Sequence, residues 1–310
     1  CIRDSLYSDS LLIRKEYIGL EHFIDFSLIL TPAQQKRLPP NFFVTILSER
    51  WCQCENQISI GLEPLCLPIK FPAPTPLADM LLISTSDLEN EEFTKVFDFE
   101  NFNKFQSQVF QPLYTTNENV LVGASKGSGK TVMAELAILN HWRQNKGRAL
   151  YISPHQYQID KVLKSWKERF SALAGGKSIN KLGSDLNFNL KVIAQSHLIL
   201  ATPDQFDLVS RRWRNRRNIQ RIELAIYDDV QEISGGMTGA VYETVISRMT
   251  FISTQLEKDT RFVALGSCLA NGRDFGEWIG ASRNNIFNFS PQEKLYPMEV
   301  HLHAFETAHN

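Results

Sequence analysis

Apolar residues in this chain fall into short runs that end abruptly in polar or turn-forming residues. In the last two-thirds, five runs have the length of buried strands, at Val120–Val122, Ala149–Ile152, His197–Ala201, Leu224–Tyr227 and Phe262–Leu265. The polar stretches that follow them read GASKGSGKT, SPHQ, TPDQ, DDVQ and GSCL. Polar motifs at the ends of several buried strands mark the ligand-binding edge of an open parallel sheet. We therefore predict an α/β domain with a parallel sheet flanked by helices.

The first 70 residues follow a different pattern. Leu11–Ile13, Phe23–Leu30 and Phe42–Leu47 are strand-like runs separated by prolines, and Ile58–Leu62 alternates like a further strand. Trp51 is a candidate core anchor. Several short strands at this spacing predict a small all-β sandwich of the immunoglobulin type over residues 1–70.

A proline-rich segment joins the two patterns. Three of the six residues in Phe71–Pro76 are prolines, which favour an extended, semi-rigid backbone. We place the domain boundary here, with residues 71–95 as linker and lead-in and residues 96–310 as the α/β domain. Residues 77–118 are predicted to be mainly helical, with the acidic cluster at 89–92 on a solvated helix face.

Composition narrows the class of protein. The 310 residues are 43% hydrophobic and 22% charged, which suits two folded domains. The net charge of −1 means that any nucleic-acid contact depends on a local patch. Five irregularly spaced cysteines indicate reduced thiols in an intracellular protein, and Cys52-x-Cys54 lacks the second ligand pair of a zinc site. No apolar run could span a bilayer. Because the chain begins with Cys1, we expect it to be part of a longer polypeptide.

The stretch Asn119–Trp142 carries the strongest chemical signal. A strand-like run leads into a glycine-rich loop, and apolar residues at helical spacing follow it. Glycines let the backbone amides turn towards a phosphate, and the start of the following helix adds positive potential. Lys130 can reach the β- and γ-phosphates, and the Thr131 hydroxyl can ligate Mg²⁺. The alternative is a glycine turn before an ordinary helix. We predict a phosphate-binding loop formed by Ala124, Ser125, Lys126, Gly127, Ser128, Gly129, Lys130 and Thr131.

Taken together, the motifs resemble those of superfamily-two helicases. The glycine-rich loop resembles motif I, and five further segments resemble the adenine-recognition motif and motifs Ia, Ib, II and III: Asn103–Gln106, Ser153-Pro154, Thr202–Asp204, Asp228–Gln231 and Gly266–Cys268. Their order is that of a first RecA-like domain. The flanking sequence is similar to spliceosomal DExH-type RNA helicases that carry two cassettes with Sec63-type units. The resemblance assigns this chain to the C-terminal cassette, with residues 1–70 ending the preceding unit, and suggests a fungal source.

The resemblance implies several functional properties. The domain would bind ATP or ADP with Mg²⁺, with Gln106 at the adenine and Thr131 and Asp228 at the metal. The parent protein would unwind U4/U6 RNA in pre-mRNA splicing, in the nucleus. Partners would be spliceosomal proteins of the U5 particle, and RNA would bind through the full-length helicase, with no membrane involved.

The departures from the family pattern bear on catalysis. Asp229 stands where the family has a longer carboxylate that positions the attacking water, and a misplacement of about 1 Å can cost about 100-fold in rate. Gln231 replaces a histidine and cannot titrate near neutrality. Gly266 and Cys268 replace two hydroxyl residues of motif III. We therefore predict a catalytically degraded cassette, with Asp229 and Gln231 as its altered catalytic positions, that serves as a docking and regulatory platform. The alternative is tolerated drift in an active ATP-dependent RNA helicase.

Two remaining features carry weaker signals. The run Arg211–Arg217 contains five arginines and a tryptophan, and it could bind RNA phosphates or an acidic partner. A solvated helix end is the simpler interpretation and the one that we favour. His301-x-His303 lies in the strand-like run Met298–Phe305, where we expect no metal site.

Overall fold

The computed structural model describes residues 41–48, 51–61, 73–170, 173, 176–296, 299 and 301–303. The chain divides into two compact units, residues 1–70 and 71–310. The strand-like runs Leu11–Ile13 and Phe23–Leu30 lie outside the described residues, so the predicted sandwich stays a prediction.

The described part of the first unit is one antiparallel pair of strands. Strand β1 (Asn41–Leu47) pairs with β2 (Glu55–Gly61) so that Leu47 lies opposite Glu55 at the closed end. Both strands were predicted, although β2 begins earlier than expected. Trp51 lies in the connection between them and is 74% exposed, so the prediction of a core anchor is wrong.

The second unit is built on a seven-stranded sheet in which every pairing is parallel. The strands lie in the order β5-β6-β4-β7-β8-β3-β9. Their bounds are Val120–Gly123 (β3), Arg148–Ile152 (β4), Ile179–Lys181 (β5), Leu198–Ala201 (β6), Ile222–Tyr227 (β7), Arg261–Gly266 (β8) and Ile286–Asn288 (β9). The five predicted strands are confirmed. The two edge strands, β5 and β9, were not predicted.

Helices cover the sheet and connect its strands. The α-helices are Glu91–Thr94 (α1), Lys104–Phe110 (α2), Lys130–Arg143 (α3), Gln156–Phe170 (α4), Leu186–Gln195 (α5), Pro203–Ser210 (α6), Arg217–Gln220 (α7), Gly236–Gln255 (α8) and Gly272–Trp278 (α9). Short 3₁₀ helices lie at Thr85–Leu88, Trp213–Asn215, Val230–Ser234 and Arg283–Asn285, and a π-helical turn at Gln111–Thr115 extends α2. No helix among the described residues is long and apolar enough to cross a membrane.

Residues 77–118 are less helical than predicted, because capping side chains divide them into short pieces. Glu89 ends the first 3₁₀ helix with φ +52°, and Asn90 then caps α1 by accepting from the amides of Glu92 and Phe93. The acidic cluster is solvated, but it lies at the junction of two short helices. The extended segment before them follows the sheet edge, where the Thr75 amide donates to the Asn288 carbonyl (2.7 Å).

The hydrophobic core forms two layers, one on each face of the sheet. Alternate residues of each strand point to opposite faces. Val120 and Val122 therefore pack in the layer that contains α2, α3 and α4, whereas Leu121 packs in the layer that contains α5, α6 and α8. With both faces covered, ligands can approach only the ends of the strands.

Candidate nucleotide site

The predicted motifs meet at the carboxyl edge of three neighbouring strands. Strands β7, β8 and β3 lie side by side, and Gly123 at the end of β3 pairs with Gly266 at the end of β8. The Ala124 amide continues this pairing by donating to the Gly266 carbonyl (3.0 Å). The loops that follow the three strands, which carry motifs I, II and III, therefore share one edge of the sheet.

The glycine-rich loop has the backbone that a phosphate requires. Gly127 and Gly129 have φ of +89° and +85°, a region that favours glycine, and α3 begins immediately after them at Lys130. The Ser128 hydroxyl is buried and has no hydrogen-bond partner in the described part of the chain. Gly127 is exposed, as are Lys126 and Thr131.

Lys130 turns back into the loop that precedes it. Its Nζ donates to the carbonyls of Ala124 (2.9 Å) and Ser125 (3.2 Å). Burial lowers the pKa of Lys130, and the nearby carboxylates of Asp228 and Asp229 act in the opposite direction. Together with the Ser128 hydroxyl and the exposed loop backbone, this ammonium group fits the β- and γ-phosphates of a nucleotide.

Helix α2 supports the loop from behind. Asn103 Nδ2 donates to the Ser128 carbonyl (3.0 Å), and Gln106 Nε2 donates to the Gly129 carbonyl (3.3 Å). Gln106 is 5% exposed, and its Oε1 accepts from the Asn103 amide (3.0 Å). A Cβ at Gly129 would lie 2.1 Å from Gln106 Nε2. Gln106 thus holds the loop backbone, while its adenine contact stays a prediction.

Asp228 ends up deep in the site with three hydrogen-bond donors. The Tyr151 hydroxyl (2.5 Å) and Gln158 Nε2 (2.9 Å) donate to its Oδ2, and the Asp229 amide (2.9 Å) donates to Oδ1. Burial raises the pKa of Asp228 to about 6, although the Tyr151 hydrogen bond lowers it. Tyr151 and Gln158 were not predicted as site residues. The only sequence signal for them was the presence of a tyrosine within the aliphatic run of β4.

The turn after Asp228 is closed by hydrogen bonds within motifs II and III. Asp229 has φ +51° and ψ +47°, and its Oδ1 accepts from Gln231 Nε2 (3.0 Å). Gln231 Oε1 in turn accepts from the Ser267 amide (2.9 Å). A Cβ at Gly266 would lie 2.8 Å from Val230 Cγ2 and 3.1 Å from Gln231 Oε1. Glycine at position 266 therefore leaves room for the glutamine bridge.

The other sequence-predicted residues contribute in different ways. The Ser125 hydroxyl donates to the Glu293 carbonyl (2.8 Å), which ties the loop to the chain after β9. Thr202 of motif Ib caps α6. Across the described residues no three potential ligands cluster as a metal site, so Thr131 and Asp228 remain the candidate Mg²⁺ residues. Glu299, His301 and His303 are not in a strand, contrary to the predicted strand over 298–305.

Comparison with known proteins agrees with this geometry. The DEAD/DEAH box helicase family matches residues 103–273. The chain is 42% identical over 306 residues to the pre-mRNA-splicing factor brr2 of Schizosaccharomyces pombe and 38% identical over 307 residues to the U5 small nuclear ribonucleoprotein 200 kDa helicase of Homo sapiens. Each alignment covers 98% of this chain but 14% of the relative's length.

Solved structures show the same fold at low sequence identity. The DEAD-box helicase Mss116 bound to single-stranded RNA and UDP-BeF superimposes with a TM-score of 0.55 at 15% identity, over 70% of this chain and 45% of that one. The DUF1998 helicase MrfA bound to DNA and AMPPNP gives 0.54 at 15% identity, over 82% and 34%. The sheet is thus a RecA-like helicase fold, and the chain belongs to the DEAD/DEAH box helicase family.

Proposed function

We propose that this chain is the first RecA-like domain of a catalytically degraded cassette in a spliceosomal RNA helicase. It binds ATP or ADP with Mg²⁺ and serves as a docking and regulatory platform for spliceosomal proteins in the nucleus. The similarity to brr2 and to the U5 200 kDa helicase over nearly the whole chain supports the spliceosomal assignment. RNA and the unwinding of U4/U6 belong to the full-length protein.

The glutamine bridge in motifs II and III carries this proposal. Gln231 holds the Asp229 carboxylate on one side and the Ser267 amide on the other. A carboxylate that is to orient an attacking water must be free to accept from that water, and a displacement of about 1 Å costs about 100-fold. Asp229 is one methylene shorter than the residue of the family pattern, and the Gln231 amide fixes the position of its Oδ1, so the carboxylate is misplaced for the water and turnover at this site is slow.

Retained nucleotide binding is supported by the first half of the site. The loop keeps the glycines with positive φ, the Lys130 ammonium and the Ser128 hydroxyl, which no group in the described part of the chain engages. These groups bind phosphates by charge and by hydrogen bonds and need no hydrolytic residue. Thr131 and Asp228 would hold the Mg²⁺, which neutralises phosphate charge when bound.

An active ATP-dependent RNA helicase cassette is the second candidate. Asp228, Lys130 and Thr131 are all present, and the named relatives are helicases. The two candidates differ only in whether Asp229 can act from its present position. The alternative requires an oxygen of that carboxylate to reach the attacking water when nucleotide and RNA bind, either Oδ2 or an Oδ1 released by the Gln231 amide.

RNA-stimulated ATP hydrolysis by the full-length protein decides between them. Lys130→Ala measures the share of turnover that this site supplies, and we expect that share to be small. Asp229→Glu combined with Gln231→His should raise that share, the turnover that Lys130→Ala removes, by about tenfold or more, since both corrections act on the water-positioning group. A large share lost in Lys130→Ala, with the variant folded, establishes the active cassette instead.

A further inference from the structure

The arginine run 211–217 folds into a corner after α6, and two of its arginines are used to build that corner. Arg211 Nη2 pairs with Asp207 Oδ2 (2.5 Å), and Arg248 from α8 pairs with the other oxygen of the same carboxylate (2.7 Å). Arg216 Nη1 donates to the Val209 carbonyl at the end of α6. These contacts fix the backbone of the run, so its remaining side chains project from a rigid base.

The other three arginines of the run are left for solvent. Arg212, Arg214 and Arg217 are exposed, and none has a side-chain hydrogen bond or an ion pair within the part of the chain that the structure describes. The Arg214 guanidinium lies over the ring of Trp213, 5.5 Å from its centre. Three unpaired guanidinium groups within six residues form a local positive patch on a chain with a net charge of −1.

An apolar surface lies between these arginines and the neighbouring helices. Trp213 is half-buried, and its ring meets Phe251 of α8 edge-on at 6.3 Å. Phe251 is 48% exposed. We call this surface the Arg-Trp corner and define it as Arg212, Trp213, Arg214, Arg217 and Phe251.

The Arg-Trp corner is remote from the nucleotide site. Helix α6 begins after the carboxyl end of β6 and runs back for eight residues, a rise of about 12 Å. The chain then enters β7 at Ile222, the amino end of that strand. The corner therefore lies at the amino edge of the sheet, whereas ligands of open parallel sheets bind at the carboxyl edge.

We propose that the Arg-Trp corner docks an acidic protein segment that carries large apolar side chains. Carboxylates would pair with Arg212, Arg214 and Arg217, whose guanidinium groups suit bidentate contacts, and apolar side chains would cover Trp213 and Phe251. Tryptophan and arginine are the residue types that dominate interface energies. This inference rests on the proposed docking role of the domain and names a surface and a partner chemistry for it.

Protein suits this surface better than single-stranded RNA. RNA bound without base pairing gains much of its affinity by stacking bases on open aromatic faces. The Arg214 guanidinium covers one face of Trp213, and Phe251 meets the ring edge. The half-exposed Phe251 offers apolar area to a protein side chain and nothing to a phosphate.

A differential peptide selection tests the proposal. A random peptide library on phage is selected on the immobilised full-length protein and depleted on the Arg212→Glu/Arg214→Glu/Arg217→Glu variant. We expect the peptides lost on the variant to be rich in Asp and Glu and to contain Trp, Phe or Leu. For a synthetic representative, Trp213→Ala and the triple variant should each weaken binding by about tenfold or more.

Matched controls keep the outcome interpretable. Lys161→Glu/Lys164→Glu/Lys167→Glu makes the same charge change on exposed positions of α4 and should leave affinity within about twofold. All variants must keep the part of Mg-nucleotide binding that Lys130→Ala removes, which reports this domain as folded from the opposite edge; Arg214→Ala replaces the triple variant if that one unfolds. The proposal is overturned if no acidic peptide is lost, or if oligouridine displaces the peptide. ATP turnover in the same preparations tests the degraded site separately.

Discussion

The phosphate loop and the motif II–III turn lie on adjacent strands but use their polar groups in opposite ways. In the phosphate loop, Asn103 and Gln106 hold backbone carbonyls, so Lys126 and Thr131 stay exposed to a ligand. In the motif II–III turn, side chains satisfy one another through the Gln231 bridge. Exposed positions of the phosphate loop are open to a ligand, whereas one carboxylate oxygen of Asp229 is already hydrogen-bonded within the turn. Under the proposed function, nucleotide binding depends on the first half and hydrolysis on the second.

The largest effect that could sharpen this comparison is expected at Gly129. A Cβ there meets Gln106 Nε2 at 2.1 Å, while a Cβ at Gly127 meets nothing within 4 Å. Both positions have positive φ, so Gly127→Ala reports backbone strain alone, about 1 kcal/mol. Gly129→Ala adds the clash and should lower the free energy of unfolding by about 3 kcal/mol, measured in urea. Adding Gln106→Ala should recover part of the loss. Equal losses for the two glycines contradict the proposed support from α2.

The next effect concerns the ligand rather than the fold. At about a hundredfold excess over Kd, ADP with Mg²⁺ should stabilise the domain by about 2.7 kcal/mol. Lys130→Ala should remove most of that stabilisation, because the ammonium group is the main cation inside the loop. The exposed Lys126→Ala is the control and should keep it. Unfolding with and without ADP measures both variants. An unchanged ADP effect in Lys130→Ala would mean that the loop does not bind phosphate.

A smaller effect on stability is expected from restoring a motif III hydroxyl at position 266, in the motif II–III turn. Gly266→Ser introduces a Cβ against Val230 Cγ2 and Gln231 Oε1, and overpacking of this kind should cost about 2 kcal/mol of stability. Gln231→Ala in the same chain removes one of the two close contacts and should reduce that cost. Thermal unfolding of the single and double variants gives the coupling. If serine fits without loss, the glutamine bridge does not depend on glycine at position 266.

The smallest expected effect is on the pH dependence of stability, through a buried histidine in the helix that follows the phosphate loop. His141 lies near the end of α3, its Nε2 is 2.9 Å from the Gly147 carbonyl, and burial lowers its pKa. The unfolded chain therefore takes up a proton below about pH 6.5 that the folded chain resists, so stability falls as pH drops, by at most about 1.4 kcal/mol per unit. His141→Gln should flatten this slope between about pH 7 and pH 5 in urea titrations. An unchanged slope assigns the acid sensitivity to other groups.

The sequence predicted those parts of the fold that local patterns encode. Long apolar strands such as β7 and β8 could be predicted from their runs of apolar residues. The phosphate-binding loop from Ala124 to Thr131 could be predicted from its residue types alone. Strands β5 and β9 have three residues each and exist because a neighbouring strand pairs with them. No local pattern in so short a segment distinguishes a strand from a loop.

The site was predicted in its positions but not in its contacts. Motif residues could be numbered from the sequence, yet the sequence did not indicate that Tyr151 and Gln158 both donate to Asp228. Those donors lie on β4 and α4, about 70 residues away along the chain. The prediction that residues 77–118 are mainly helical failed locally for a related reason. Asn90 ends one short helix and begins another, and a composition rich in helix formers does not reveal that break.

Arg261 couples the stability of the phosphate loop to the amino edge of the sheet. Arg261 is the first residue of β8. Its buried guanidinium donates to the carbonyls of Pro112, Leu113 and Glu118, which lie at or just after the end of the helical segment that starts with α2. The other end of that segment holds the loop through Asn103. Because one segment is fastened to the amino end of β8 and to the phosphate loop after β3, the two edges should open and exchange their amide hydrogens as a single cooperative unit. A destabilising substitution at the amino edge, far from any phosphate, would then reduce the amide protection of the loop as much as a substitution beside the loop.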